Sequence, residues 1–271
     1  MRGFAVAAID KYGHDPRFPV TSNWPHLVQQ LAEFATAQAL QRPDAPIFLA
    51  GHSLGGFLSL MCAAEQPQLA GRKIAGVLLL DAPVLGGWKA ATLGAVKKTR
   101  WINAFSPAAV SRKRKNRWAS EGEAMAHFQR KKAFAAWNAA VLQDYIAYGT
   151  HDADDAETSA RCELPPERLL SFDRAVETAI YNSLPHNLPQ LLKKHPLQCP
   201  VSFIGGCDSV ELRRVGLALT QQVTQGRMMM LDGSHLFPME KPIAAAAAME
   251  AALRNMAASQ PGLHQTAITS D

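Results

Sequence analysis

The sequence predicts an α/β fold: a mostly parallel sheet with helices on both faces, interrupted by a helical insertion. Three observations predict it. Short apolar runs alternate with longer stretches of helical periodicity toward both ends of the chain, the pattern of a parallel sheet with crossover helices. A glycine-rich turn, Gly51-His52-Ser53-Leu54-Gly55, sits directly between one such run and one such helix. From about Val84 to Pro196 no clear strand is legible, and helical patterns dominate, broken by Pro107, Pro165-Pro166, Pro185 and Pro189.

In order, Phe4 to Ile9 reads as a short buried strand that Asp10 stops. Lys11 to Asn23 is rich in Gly, Pro, Asp and Ser and reads as a loop. Ser22 or Asn23 is placed to cap the helix that follows, with Pro25 in its first turn, where the missing N–H costs nothing. Leu27, Leu31, Phe34 and Ala35 recur at helical spacing, and the helix ends before Pro43. Ile47 to Ala50 is a second strand, Leu54 to Glu65 a helix closed by Pro67, and Ile74 to Leu80 a third strand. After the insertion come a strand at Val201–Ile204, a helix at Glu211–Val223, a strand at Arg227–Leu231 and a helix at Met239–Ala257. The organisation expected is a core at 1–84 and 196–258, a helical lid at 85–195 and a flexible tail at 259–271.

Composition sets outer bounds. Hydrophobic residues make up 48% of the chain and charged residues 19%, ordinary values for a globular protein. No apolar run approaches the roughly 20 residues a membrane helix needs. The opening residues mimic a signal peptide, but the apolar run is short and Asp10 ends it without a small-residue cleavage pattern. Cys62, Cys162, Cys199 and Cys207 form no Cys-x-x-Cys pair, so neither a zinc site nor a disulfide framework is indicated, and a reducing cytoplasm is expected. The net charge is +5, much of it between Lys97 and Lys132, including Arg112-Lys113-Arg114-Lys115-Asn116-Arg117. Such a run can grip nucleic acid or an anionic membrane, but no nucleic-acid motif accompanies it, and the expectation is a solvated face.

The chemistry rests on Ile47-Phe48-Leu49-Ala50-Gly51-His52-Ser53-Leu54-Gly55-Gly56. By composition alone, Gly-x-Ser-x-Gly turns up in about one chain in ten of this length, so its context carries the argument. Between a strand and a helix, the tight turn holds the serine in a strained conformation and lifts its hydroxyl above the sheet. Side chains at Gly51 and Gly55 are expected to collide with their surroundings. The amide of Leu54 then points where an oxyanion forms. A serine hydroxyl needs a base, and the base needs a group to hold it. His235, in the loop after the last strand, stands in the right chain order to be that base. The acid is open. Asp208 emerges after the strand Val201–Ile204 and is the first choice; Glu211, one turn further on, and Asp81, at the end of the third strand, are the alternatives. His52 is read as a packed neighbour, and His14 and Asp15 as loop residues bordering a pocket.

These segments resemble the α/β-hydrolase family. The resemblance covers Val6–Asp15, the turn at 47–56, the strand ending Leu80-Asp81-Ala82-Pro83, the strand and turn at 200–208, and the loop at 232–242. Gly233-Ser234-His235 with Glu240-Lys241-Pro242 is similar to the family's histidine loop. Tyr12-Gly13-His14-Asp15 is similar to its Gly-His-Gly turn, with Asp15 in place of the second glycine. The resemblance implies three further strands before Phe4–Ile9 and an oxyanion loop after the third of them. An upstream in-frame segment carrying a strand and a small-residue loop is therefore expected. It also implies an acyl-enzyme mechanism without metal or organic cofactor, acting on an ester, with a thioester or amide behind it. A serine at the turn argues against haloalkane dehalogenase or epoxide hydrolase chemistry. The competing reading is a non-catalytic binding or scaffold domain, or an inactive fragment. Substrate choice would lie in the lid, where Trp88, Trp101, Trp118, Phe128, Phe134, Trp137, Tyr145 and Tyr148 accompany many basic residues. Those aromatics are expected to form the lid's own core; the sharper alternative is an apolar acyl pocket with a cationic rim.

Overall fold

The computed structural model describes residues 3–84, 107–153 and 167–259. Its centre is a parallel sheet of β1 (Ile47–His52), β3 (Arg72–Leu80), β7 (Val201–Gly206) and β8 (Met228–Leu231), in the order β1-β3-β7-β8. A short β2 (Gln68–Leu69) runs antiparallel to the start of β3. The period-2 alternation of strands sorts the core into two faces. On β3 and β7, Val77, Leu79, Val201 and Phe203 join one cluster with α1 (Pro25–Gln41) and α2 (Leu54–Glu65). Leu78, Leu80 and Ile204 join the other, against Leu253 and Met256 of the long helix Pro242–Ala258. β3 is buried from Ile74 to Leu80, as a central strand covered on both faces must be.

Several expectations are corrected. Phe4–Ile9 forms no strand: Val6 is 73% exposed, and Phe4 packs edge-on to Phe48 at 6.3 Å and beneath Arg254 at 5.5 Å. Among the described residues no strand lies alongside this segment to accept its backbone hydrogen bonds, and an apolar run alone does not make a ladder. Neither Ser22 nor Asn23 caps α1. Trp24 takes the cap position at φ 60°, while Asn23 Oδ1 accepts from the His186 amide at 3.1 Å and so ties this turn to the insertion. The helix expected over 211–223 divides at Gly216, where φ is 81°, into Val210–Val215 and Ala218–Thr224. The one expected over 239–257 divides before Pro242, whose ring cannot continue the preceding turn.

The insertion between β3 and β7 is not purely helical. Arg117–Trp118 (β4), Thr150–Asp152 (β5) and Arg168–Leu170 (β6) form a small antiparallel sheet in the order β4-β6-β5. Runs of two or three residues are too short for alternation to be read in sequence. Arg168 pins this sheet, donating to Thr150 Oγ1 and Asp152 Oδ1 at 2.7 Å each. Trp118, Phe128, Phe134, Trp137 and Tyr145 pack together as the insertion's own cluster, while Tyr148 is 82% exposed. Trp88, Trp101, Cys162, the basic positions 97–100 and the tail beyond Ser259 lie outside the described residues.

Candidate active site

The strand–turn–helix around Ser53 is held by close backbone approach. Ser53 has φ 50° and ψ −113°, a conformation that a side-chain-bearing residue adopts at a cost of about 1–3 kcal/mol. Its amide donates to Leu80 O at 3.0 Å, extending the β1–β3 ladder one step past the strands, and its carbonyl accepts from Gly56 at 3.0 Å and Phe57 at 3.2 Å. A Cβ on Gly51 would lie 2.1 Å from the Gly55 carbonyl carbon, so glycine is obligatory there. At Gly55, by contrast, a Cβ would meet nothing within 4 Å. The second crowded glycine is Gly56, whose Cβ would sit 2.5 Å from that of Ala82. The collision expected at Gly55 is thus one residue displaced.

Asp81 follows β3 as Ser53 follows β1. It is fully buried, at φ 41°, and its carboxylate accepts three hydrogen bonds. Gly206 N–H donates to Oδ2 at 2.7 Å; Ser209 Oγ at 2.7 Å and His235 Nδ1 at 2.9 Å donate to Oδ1. A buried carboxylate demands such donors. The bond to Asp81 also fixes the tautomer: with the proton on Nδ1, a neutral His235 keeps Nε2 as an acceptor.

The loop bearing His235 is braced at several points. His52 Nε2–H donates to His235 O at 2.7 Å, and the two rings lie 4.7 Å apart. Burial, and next the neighbouring His235, hold the His52 pKa below the usual histidine value, which favours the neutral ring. Glu240 accepts from the Ser234 amide at 2.9 Å and from the Ser234 hydroxyl. Gly206 presses against the same loop; a Cβ there would come within 2.3 Å of Ser234 O.

Among the sequence candidates, His235 and Asp81 are hydrogen-bonded to each other, and Ser53 and Asp81 leave the adjacent strands β1 and β3 at the same level. Asp208 does not join them. It is exposed on the turn after β7, and its contribution to the site is a backbone amide donating to Gly233 O at 2.9 Å. Glu211 is exposed in the first turn of Val210–Val215. Asp208 lies away from His235 because the β7 turn folds back on itself: Gly206 and Ser209 face inward as donors to Asp81, and residue 208 is left outward. Leu54 opens α2, and its amide has no acceptor among the described residues. Nor has the Ser53 hydroxyl a hydrogen-bond partner among them. His14 donates through Nδ1 to Tyr12 O at 3.0 Å and accepts at Nε2 from the Asp173 amide at 3.0 Å, while Asp15 pairs with Arg17 at 2.7 Å. Both are structural ties of the loop before α1.

Ser53 and Leu54 open onto a cavity of about 320 Å³ between core and insertion. Trp24, Phe57, Phe172 and Leu184 supply apolar wall, and Arg114 and Glu177, paired at 3.1 Å, the polar part. Burial raises the Glu177 pKa, and the adjacent Arg114 partly offsets it.

A model of the Alpha/beta hydrolase family matches residues 1–249. The chain belongs to the alpha/beta hydrolase family. Over 105 residues the chain is 30% identical to the monoglyceride lipases of Mus musculus and Homo sapiens; the stretch is 38% of this chain and 33% of either lipase. Solved structures share the fold at lower identity. A peroxisomal alpha-beta-hydrolase of Saccharomyces cerevisiae has a TM-score of 0.62 at 16% identity, covering 90% of this chain and 64% of that one. E-2-(acetamidomethylene)succinate hydrolase has a TM-score of 0.61 at 18% identity, covering 90% and 78%. No helix among the described residues is long and apolar enough to cross a membrane.

His52, Ser209 and Glu240 escaped sequence reasoning as site residues. For His52 a signal existed, since it adjoins the nucleophile candidate. Glu240 was read only as part of the histidine-loop pattern, and Ser209 is recognisable only once the turn after β7 is seen against Asp81.

Proposed function

We propose that this alpha/beta hydrolase is a serine hydrolase that cleaves carboxylic esters through an acyl-enzyme, with Ser53 as nucleophile, His235 as base and Asp81 as the acid. The single observation that carries the reading is the 2.9 Å hydrogen bond from His235 Nδ1 to the buried Asp81 carboxylate, beside a serine held at φ 50°. His235 Nε2 takes the proton of Ser53 as Oγ attacks the acyl carbonyl. The oxyanion is met by the Leu54 amide. The proton then passes from Nε2 to the leaving alkoxide, and the C–O bond breaks. Water, deprotonated by the same nitrogen, releases the acid and restores the serine hydroxyl. Asp81 keeps the tautomer and stabilises the imidazolium. Hydrogen bonds among such groups commonly tighten only when substrate excludes water, which accommodates the unpartnered Ser53 hydroxyl. The apolar wall of the adjoining cavity suits an acyl chain, and the lipase relatives point the same way.

Labelling with a fluorophosphonate tests this. Wild-type protein is expected to be labelled at Ser53 and to hydrolyse p-nitrophenyl butyrate, and Ser53→Ala to do neither. A folded wild-type protein that does neither would overturn the reading in favour of a binding domain.

A further inference from the structure

A second cavity, of about 690 Å³, lies in the insertion beside the one at Ser53, and Arg114 lines both. The two differ in charge. In the Ser53 cavity Arg114 is matched by Glu177, leaving a mainly apolar, near-neutral space. The second cavity is lined by Lys113, Lys115, Lys131 and Lys132 over a floor that includes Phe128 and Phe134. Lys115 is matched by Glu123 at 2.6 Å; Lys113, Lys131 and Lys132 have no ion-pair partner among the described residues. His127 is also in the lining. Burial first, and then Lys131, Lys115 and Arg130, depress its pKa. The partition is thin. Tyr145 of the Ser53 cavity packs on Phe128 and Phe134 of the second, with ring centres at 5.1 and 5.5 Å.

Three unmatched ammonium groups around one concavity call for a polyanion rather than a single carboxylate. The shared Arg114 wall places that polyanion beside an acyl chain bound at Ser53. The geometry points to a substrate whose acyl part enters the Ser53 cavity and whose leaving group carries phosphate into the lysine-lined cavity: an acyl thioester of a phosphorylated carrier thiol. This deepens, and rests on, the reading of Ser53 as nucleophile. Ser53 Oγ bonds to the thioester carbonyl carbon, the C–S bond breaks, and the thiol leaves with the proton His235 took from Ser53. Water then releases the fatty acid, so one thioester and one water give one acid and one thiol.

The test compares decanoyl-coenzyme A with the decanoyl thioester of N-acetylcysteamine, which keeps the reacting group and lacks the phosphates. In the combined variant Lys113→Ala, Lys131→Ala, Lys132→Ala, kcat/KM for the coenzyme A thioester is expected to fall about tenfold, the product of three exposed charge contacts worth roughly twofold each or slightly more. Turnover of the N-acetylcysteamine thioester and of p-nitrophenyl butyrate should stay within about twofold, which also shows that the variant is folded. Calorimetric titration of coenzyme A into Ser53→Ala, with and without the three lysines, reads the cavity without turnover; binding that weakens with their loss supports the inference. An unchanged ratio between the two thioesters, or no binding of coenzyme A, overturns it. So does loss of binding to phosphatidylserine vesicles with that ratio intact, which would make the lysines a membrane contact. Failure of p-nitrophenyl butyrate hydrolysis in the wild type would instead sink the hydrolase reading, and calorimetry would then decide the cavity alone.

Discussion

Replacing Asp81 by asparagine should separate the acid proposed here from the one expected at residue 208. The side chain of Asp81 accepts on both oxygens: from Gly206 N–H on one, and from Ser209 Oγ and His235 Nδ1 on the other. Asparagine keeps the shape and turns one acceptor into a donor. Facing Gly206, the new NH₂ would meet a backbone N–H at the present 2.7 Å, and that donor cannot reverse. Facing His235, it is tolerated only if Nδ1 becomes the acceptor, which moves the imidazole proton to Nε2. The second arrangement is the cheaper, and it leaves the base occupied. The expected loss in kcat is about 10³- to 10⁴-fold with KM little changed, the size of effect that tautomer loss has in serine triads. Loss of a charge-assisted bond should also destabilise the fold by about 1.5–3 kcal/mol. Asp208→Asn should change neither quantity appreciably, since its side chain is exposed and its backbone bond to Gly233 survives. Steady-state hydrolysis of p-nitrophenyl butyrate and thermal unfolding of both variants read the two effects. Collapse of turnover in Asp208→Asn, with Asp81→Asn within about twofold of wild type, would refute the assignment.

Ser53→Gly should abolish hydrolysis and yet raise stability by about 1 kcal/mol relative to Ser53→Ala, because glycine adopts the positive φ without strain; calorimetric melting of the two variants measures the difference. Gly51→Ala should fail to fold or lose all turnover, given the 2.1 Å approach to Gly55, while Gly55→Ala should express and melt close to wild type; equal behaviour of the pair would contradict the packing described at the turn. His52 gives a pH dependence. Its pKa is lowered in the folded state, so above the ordinary histidine value of about 6.5 both states are neutral, and below it the unfolded chain binds a proton that the folded one resists. Stability should therefore fall as pH drops below about 6.5, and His52→Gln, which keeps a donor for the His235 carbonyl, should show a shallower decline of Tm between about pH 7.5 and 5. Identical slopes would show that His52 is not the group responsible.

The parts of the fold legible in the sequence are those fixed by local pattern over enough residues. β3 announces itself because seven consecutive positions from Ile74 to Leu80 are buried, and α2 because a helix-forming run starts at the serine turn and stops at Pro67. Phe4–Ile9 has the same apolar signature as β3 and is no strand, since a strand is defined by a neighbour and its own residues cannot supply one. The small sheet β4-β6-β5 was illegible for the converse reason: its pairings join residues 16 to 52 positions apart through runs of two or three. At the candidate site, the placement of Ser53 directly after β1 and of His235 in the loop after β8 was legible in the sequence. The choice among three carboxylates was not, because it turns on which loop backbone donates inward, and nothing in Gly205-Gly206-Cys207-Asp208-Ser209 says that Gly206 and Ser209 face in while Asp208 faces out.

The position of Asp81 has a geometric logic of its own. β3 is the direct neighbour of β1, and Ser53 N–H donates to Leu80 O, so residues 53 and 81 leave adjacent strands at the same level. A carboxylate at the end of β7 would start one strand spacing, about 4.8 Å, further from the serine. From β3 the carboxylate needs no such reach, but it becomes fully buried and must be supplied with donors from elsewhere. The β7 turn supplies two of them, Gly206 N–H and Ser209 Oγ, and the β8 loop the third, His235. The β7 turn therefore retains a part in the site as the solvation shell of Asp81. This explains why Gly206 is pinned between the Asp81 carboxylate and the Ser234 carbonyl, with no room for a side chain. Three consecutive strands of one sheet, β3, β7 and β8, thus meet at a single carboxylate, and the orientation of the His235 ring is set by the sheet itself rather than by a flexible loop.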